Sequence, residues 1–246
     1  MKNIILQLFK IFKDNNYTIL SNYGTWRLAR TNNIKFMGTN LLNNSTKQLV
    51  TNGYYGISLN EVMFLSNLPN YHKFNNILII GNSFGFSTIL FKIMYPDANI
   101  IAIDPIKYGN DITREIILNS SLTNIYIEDW KSPEDLKQIS IKYKIDKFDL
   151  VFIDAIHDNK HLLIDYNESK KIMNNEQCCL ILHDVILFNM IESFNIIKKD
   201  FKTSFLLTKT ETGIGLLVNG IFSDDFLNYN DCFSDNLSLL DNYLNT

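Results

Sequence analysis

Seven short apolar runs mark the middle and end of the chain: residues 76–81 (NILIIG), 99–104 (NIIAID), 124–129 (NIYIED), 148–154 (FDLVFID), 178–184 (CCLILHD), 203–208 (TSFLLT) and 214–218 (IGLLV). Each is rich in Ile, Leu, Val or Phe and short enough for a strand. Between the first five lie amphipathic stretches that predict helices over 87–95, 112–119, 133–143 and 160–173, with one more over 189–199. Pro133 suits a first helical turn, with Ser132 as its N-cap. Buried runs alternating with helices indicate βαβ units around a parallel sheet. Only residues 209–213 separate the last two runs, too few for a crossover, so these pair as an antiparallel hairpin. The expected fold is α/β: a Rossmann-like, doubly wound, seven-stranded sheet, mostly parallel with an antiparallel last strand and helices on both faces.

The N-terminal texture differs. Ile4, Ile5, Phe9 and Phe12 recur at helical spacing, and a second helix is expected over 59–68, but the rest of the first 70 residues is Asn-rich and irregular. The organisation read from this is an N-terminal helical and irregular extension (1–73), a ligand-binding domain (74–220) and a C-terminal tail (221–246).

Composition narrows the function. At 246 residues with 46% hydrophobic content the chain can bury a full core. A net charge of -3 lacks the basic surplus of a nucleic-acid binder. Cys178, Cys179 and Cys232 form no C-x-x-C pair, which argues against a structural zinc or redox site. No apolar stretch approaches the ~18 residues that span a membrane, and the first residues do not read as a signal peptide. A cytoplasmic protein without membrane or nucleic-acid partners is expected, with a homodimer left open.

In an open α/β sheet, ligands sit beyond the carboxyl ends of the strands. The first run is followed by Gly81-Asn82-Ser83-Phe84-Gly85, whose glycines permit a tight turn and close approach to a ligand. The second ends in Asp104, 23 residues beyond Gly81, where a carboxylate can take both hydroxyls of a ribose. The third ends in Glu128-Asp129-Trp130, offering an acceptor for an exocyclic amino group and a ring to cover a base. The fourth and fifth end in Asp154-Ala155-Ile156-His157 and His183-Asp184, two carboxylates and two imidazoles at one expected cleft. A carboxylate pair can hold a hard divalent cation, and a histidine can serve as a base near neutral pH. His72 and His161 lack such partners and read as structural.

These residues resemble the class I S-adenosylmethionine-dependent methyltransferases over residues 74–218. The match includes ILIIGNSFGFST, IAIDP, FDLVFIDAIHDNKHLLIDY and LILHDV. FIDAIH and LILHDV look most like the small-molecule O-methyltransferases of the catechol and macrocin type and the group called cephalosporin-hydroxylase-like. The resemblance implies that Gly81, Asn82, Ser83 and Gly85 contact the methionine part of S-adenosylmethionine. Asp104 would hold the ribose, and Asp129 and Trp130 would flank adenine. It places Asp154 at the catalytic end beside the cofactor, as ligand to magnesium or another divalent cation together with Asp184. His157 stands where catechol-type enzymes carry a lysine base. Val185 replaces their next metal-binding asparagine, which removes a ligand; His183 and Asn189 are the substitutes considered. The implied reaction is methyl transfer to a small-molecule hydroxyl of a sugar, phenol or secondary metabolite, with His157 or His183 as base.

Two other classes compete. Gly81-Asn82-Ser83-Phe84-Gly85 also fits the G-x-S-x-G elbow of α/β-hydrolases, with Ser83 as nucleophile, though no set of strands or oxyanion segment precedes it. A non-catalytic cofactor-binding module would bind S-adenosylmethionine without turnover. The acceptor pocket is expected from residues 22–55, with Tyr23, Trp26 and Arg27 as candidates.

Overall fold

The computed structural model describes residues 2–25, 35–50, 57–210 and 212–234. The amphipathic start forms α1 (Lys2–Asp14), followed by two strands, β1 (Tyr17–Thr25) and β2 (Lys35–Asn43), paired antiparallel from Tyr17 against Asn43. This hairpin corrects the reading of the segment as irregular. Its Asn, Ser and Gly content hides the strand signal, and a lone two-stranded ribbon is marginal in water. Here β1 is backed by α1, with Tyr17 and Ile19 joining the core through the same cluster as Leu8 and Phe12. Tyr23 lies in β1, but its side chain, Trp26 and Arg27 lie outside the described residues.

Then come α2 (Leu59–Leu65), β3 (Asn76–Ile80), α3 (Phe86–Met94), β4 (Asn99–Ile103), α4 (Lys107–Asn119), β5 (Ile125–Glu128), α5 (Leu136–Tyr143), β6 (Leu150–Ile153), α6 (Asn159–Ser169), β7 (Cys178–Leu182), α7 (Ile191–Ile197), β8 (Thr203–Leu207), β9 (Ile214–Asn219) and α8 (Asp224–Asp231). The seven apolar runs form one sheet in the order β5-β4-β3-β6-β7-β9-β8. The first five strands are parallel, and β9 lies antiparallel between β7 and β8. The doubly wound reading therefore holds, including the closing hairpin.

The sheet is buried on both faces, as near-continuous apolar strands require. Ile77, Ile79 and Phe152 face one layer with α3, α4, α1 and α2, while Leu78, Ile80 and Val151 face the other with α5, α6 and α7. Chain order reverses between β3 and β6, and the crevice beyond their carboxyl ends is where such a sheet binds ligands.

Two boundaries differ from expectation. α5 starts at Leu136 with Asp135 at its N-cap position, so Pro133 and Ser132 precede the helix. The Ser132 hydroxyl is used elsewhere, donating to Asp165 on α6. The C-terminal segment is also not a bare tail. Ser223 caps α8, Phe226 is buried, and the Tyr229 hydroxyl donates to the Phe64 carbonyl at 2.9 Å. This ties α8 onto α2.

Candidate active site

The parallel ladders place the strand-end residues. Gly81, Asp104, Asp154 and His183 each donate a backbone N–H to the neighbouring strand, to Ile103, Glu128, Ile80 and Ile153 at 2.8–3.1 Å. Residues separated by up to 102 positions in the chain are thus brought onto one edge by sheet register alone. Gly81 has φ +99, and a Cβ there would lie 1.9 Å from the Asp154 carbonyl oxygen. Gly81→Ala is therefore expected to push the ends of β3 and β6 apart. The left-handed backbone adds strain of order 1–3 kcal/mol. Thermal melting should show lower stability; an unchanged melting temperature would contradict the close packing.

Asp104 closes the glycine loop. Its Oδ2 accepts from the Ser83 N–H at 2.9 Å and its Oδ1 from the Ile106 N–H at 2.8 Å. The loop and the acid of the adjoining strand therefore sit together at one edge. Ser83 takes φ +48, sparsely populated for a side chain other than glycine. Asn82 points inward instead of into the crevice: its Nδ2 donates to Asn110 and Thr113, and its Oδ1 accepts from Thr88 at 2.7 Å. Gly85 caps α3 with φ +80 against Thr113. Both residues shape the loop from behind.

A cleft of about 1000 Å³ opens here, lined by Gly81, Ser83, Asp104, Trp130, Asp154, His157, His183 and Asp184 among others. That volume lies at the upper end of small-molecule sites. Asp129 is not part of the lining. Its carboxylate is exposed and held by Arg114 at 2.7 Å and Asn110 at 2.8 Å. Burial opposes its ionisation, but the Arg114 bond and charge outweigh this and keep it below the usual range. Trp130 does line the cleft, with the Lys142 ammonium 5.0 Å from its ring centre.

At the catalytic end the four expected groups converge. Asp154 Oδ1 lies 3.1 Å from His157 Nε2 and 3.1 Å from His183 Nδ1, and Asp184 lies 3.4 Å and 3.3 Å from the same nitrogens. His157 stacks on Phe188 with ring centres 4.5 Å apart and is partly open to the cleft. Burial alone would raise the Asp154 carboxyl, yet the His183 charge and the hydrogen bonds of both histidines hold it far below the carboxylate range.

His183 has a carboxylate at each ring nitrogen. Its Nδ1 faces Asp154, and its Nε2 faces Glu61 Oε2 at 3.2 Å. A carboxylate at each nitrogen favours a ring that donates on both sides, an arrangement that suits holding Asp154 in place. Burial disfavours the imidazolium, but Asp154, Asp184 and Glu61 outweigh this and hold its pKa well above the ordinary value.

Glu61 is the residue that sequence reasoning missed. It is fully buried at the start of α2, where it forms a capping box with Ser58. It accepts from the Ser58 N–H at 2.9 Å and from the N–H and hydroxyl of Thr212 as well as from His183. The Ser58-x-x-Glu61 string announces a helix start but not a partner 122 residues away. His161 was also underestimated: it lines the cleft, with Nδ1 2.7 Å from Asp158.

One further observation concerns a cation. Asp154, His157 and Asp184 each offer a ligand atom, all within 4.8 Å of one another. Asp184 Oδ1 is buried without a hydrogen-bond partner, and the residue has φ +59. Two carboxylates and an imidazole whose ligand atoms converge, with one buried carboxylate oxygen making no hydrogen bond and, among the described residues, only the ion-pair contact to His183 at 3.3 Å, fit a divalent metal.

A reversed parallel sheet, a glycine loop bonded to a strand-end acid, and a carboxylate–imidazole cleft define a transferase that works on a nucleoside-type cofactor. The chain belongs to the O-methyltransferase family, whose model matches residues 34–191, and it is an S-adenosylmethionine-dependent methyltransferase. Among solved structures, an O-methyltransferase from Bacillus cereus in complex with S-adenosylhomocysteine shares 19% identity at a TM-score of 0.56, covering 68% of this chain and 84% of that one. The O-methyltransferase TomG from Streptomyces achromogenes, involved in tomaymycin synthesis and solved with S-adenosylmethionine, shares 16% identity at a TM-score of 0.53, covering 68% and 83%. No curated protein sequence matches the chain. Membership of this family removes the hydrolase reading, and among the described residues no histidine bonds to Ser83. Among the described residues no helix is long and apolar enough to cross a membrane.

Proposed function

We propose that the cleft binds S-adenosylmethionine between the glycine loop and Asp104, and that the acceptor is a small-molecule hydroxyl placed at Asp154, His157 and Asp184. The observation that carries this is the shared cleft: the loop acid and the catalytic carboxylates line one cavity. When bound, the cofactor supplies an electrophilic methyl on a sulfonium. The chain's part is to hold the acceptor oxygen in line, to exclude water with Trp130, Leu187 and Phe188, and to receive the hydroxyl proton at His157 Nδ1, the ring nitrogen that Asp154 does not engage. Asp154 orients that ring, and its negative charge stabilises the imidazolium as it forms. The test is transfer of labelled methyl from S-adenosylmethionine to a panel of phenols, sugars and hydroxylated metabolites; His157→Ala should lower kcat and leave cofactor affinity unchanged. Equal kcat would remove His157 from the reaction.

The clustering of Asp154, His157 and Asp184, with Asp184 Oδ1 buried and making no hydrogen bond among the described residues, favours a second reading in which these three hold a divalent cation. Such an ion would acidify the acceptor hydroxyl, and His157 would then be a ligand and not the base. Titration with Mn²⁺, followed by electron paramagnetic resonance, is expected to show one site that disappears in Asp184→Asn. No binding to the wild type would leave the metal-free route through His157.

A further inference from the structure

Asp165, on α6, is the buried carboxylate in the cleft that the reaction does not use. It is 5% exposed and lines the same cavity as Asp104 and Trp130. Its Oδ1 accepts from the Ser132 hydroxyl, and among the described residues that is its one hydrogen bond. No salt bridge reaches it among the described residues, although His161 lies near enough for its charge to be felt. Burial pushes its pKa up, partly offset by the Ser132 bond. A carboxylate offers about four acceptor positions, and Ser132 uses one of them, so the group faces the cleft with acceptor positions to spare. Those positions can accept from a ligand donor.

The surroundings name the donor. Ser132 stands just beyond β5, and Trp130, Pro133, Ile106, Ile156 and Ile164 give this part of the cleft flat, apolar walls. Asp129, the residue expected to accept from an adenine amino group, is outside the cleft lining, ion-paired with Arg114 and hydrogen-bonded by Asn110. An aromatic base entering between the walls from a ribose on Asp104 finds Asp165, with Glu134, among the carboxylates lining the cleft, and Asp165 is the buried one, fixed by Ser132. We infer that Asp165 reads the 6-amino group of the cofactor's adenine, held in place by Ser132. The inference rests on the cleft being the S-adenosylmethionine site.

Calorimetry separates the two claims. Wild-type protein should bind S-adenosylhomocysteine about tenfold or more tighter than S-inosylhomocysteine, whose 6-oxo group accepts where adenine donates. Asp165→Asn, with an amide that can donate to the oxo group, should narrow that gap to about twofold or reverse it. A variant that keeps the full preference overturns the assignment, as does a wild type with no preference. A wild type that binds neither compound overturns the cofactor reading itself. If Asp165→Asn does not fold, the carboxyl ¹³C resonance of Asp165 in the wild type decides. A shift on adding S-adenosylhomocysteine, absent with S-ribosylhomocysteine, supports base contact, and an unmoved resonance refutes it.

Discussion

Asp104→Ala should abolish measurable binding of S-adenosylhomocysteine. The carboxylate stands at the meeting of two segments, accepting from Ser83 in the glycine loop and from Ile106 just before α4. Each of its oxygens keeps a second acceptor position for a ribose hydroxyl. Hydrogen bonds to a charged group contribute roughly 1.5–3 kcal/mol each, so losing the ribose pair alone weakens binding by more than about 100-fold. Release of the Ser83 amide adds to this by letting the loop leave its ligand-ready form. Asp104→Asn separates the two effects: an amide retains one acceptor, so part of the loop order should survive while ribose binding falls. Isothermal calorimetry on both variants is the measurement. An affinity for Asp104→Ala within a few-fold of wild type would mean that the ribose is held elsewhere.

Glu61→Ala should lower stability more than any other single truncation of a polar side chain considered for this fold. It leaves His183 with one carboxylate face removed and strands the Ser58 N–H and both Thr212 donors in the interior. Breaking a buried ion pair from one side costs about 3–5 kcal/mol. For a protein of this size that corresponds to roughly 6–20 °C in melting temperature. The sign with pH follows from the direction of the shift. Burial raises the Glu61 carboxyl, but the charge and bond of His183 and the bonds of Thr212 and Ser58 outweigh it and carry it below its ordinary value of 4.5. A depressed carboxylate contributes stability that is complete above the unfolded value and disappears as pH falls through the folded one. The difference between wild type and Glu61→Ala should therefore be full at neutral pH and shrink below about pH 4. Thermal melts at both pH values test this; a neutral-pH difference under 2 °C would refute the clamp.

The fold was legible in the chain because parallel strands buried on both faces leave continuous apolar runs. Ile77 to Ile80 and Leu150 to Ile153 have no polar alternative to hide behind. Residues just past each run were legible for the same reason: a strand that ends at Ile103 or Ile153 fixes that Asp104 and Asp154 stand at its carboxyl end. The β1–β2 hairpin was not legible. Its strands are rich in Asn, Ser, Thr and Gly, which mask the apolar alternation, and they gain stability from each other and from α1.

The sequence by itself determined the sheet, the edge that carries the chemistry, and the residue types on that edge, since these follow from hydrophobic periodicity and strand termination. Tertiary structure alone decided how each side chain is spent. It turned Asn82 inward and bound Asp129 to Arg114. It enclosed His183 between Asp154 and Glu61 and left Asp165 facing the cleft. The physical reason is that a polar group's role depends on which partners reach it after packing, and those partners come from segments that no local pattern connects.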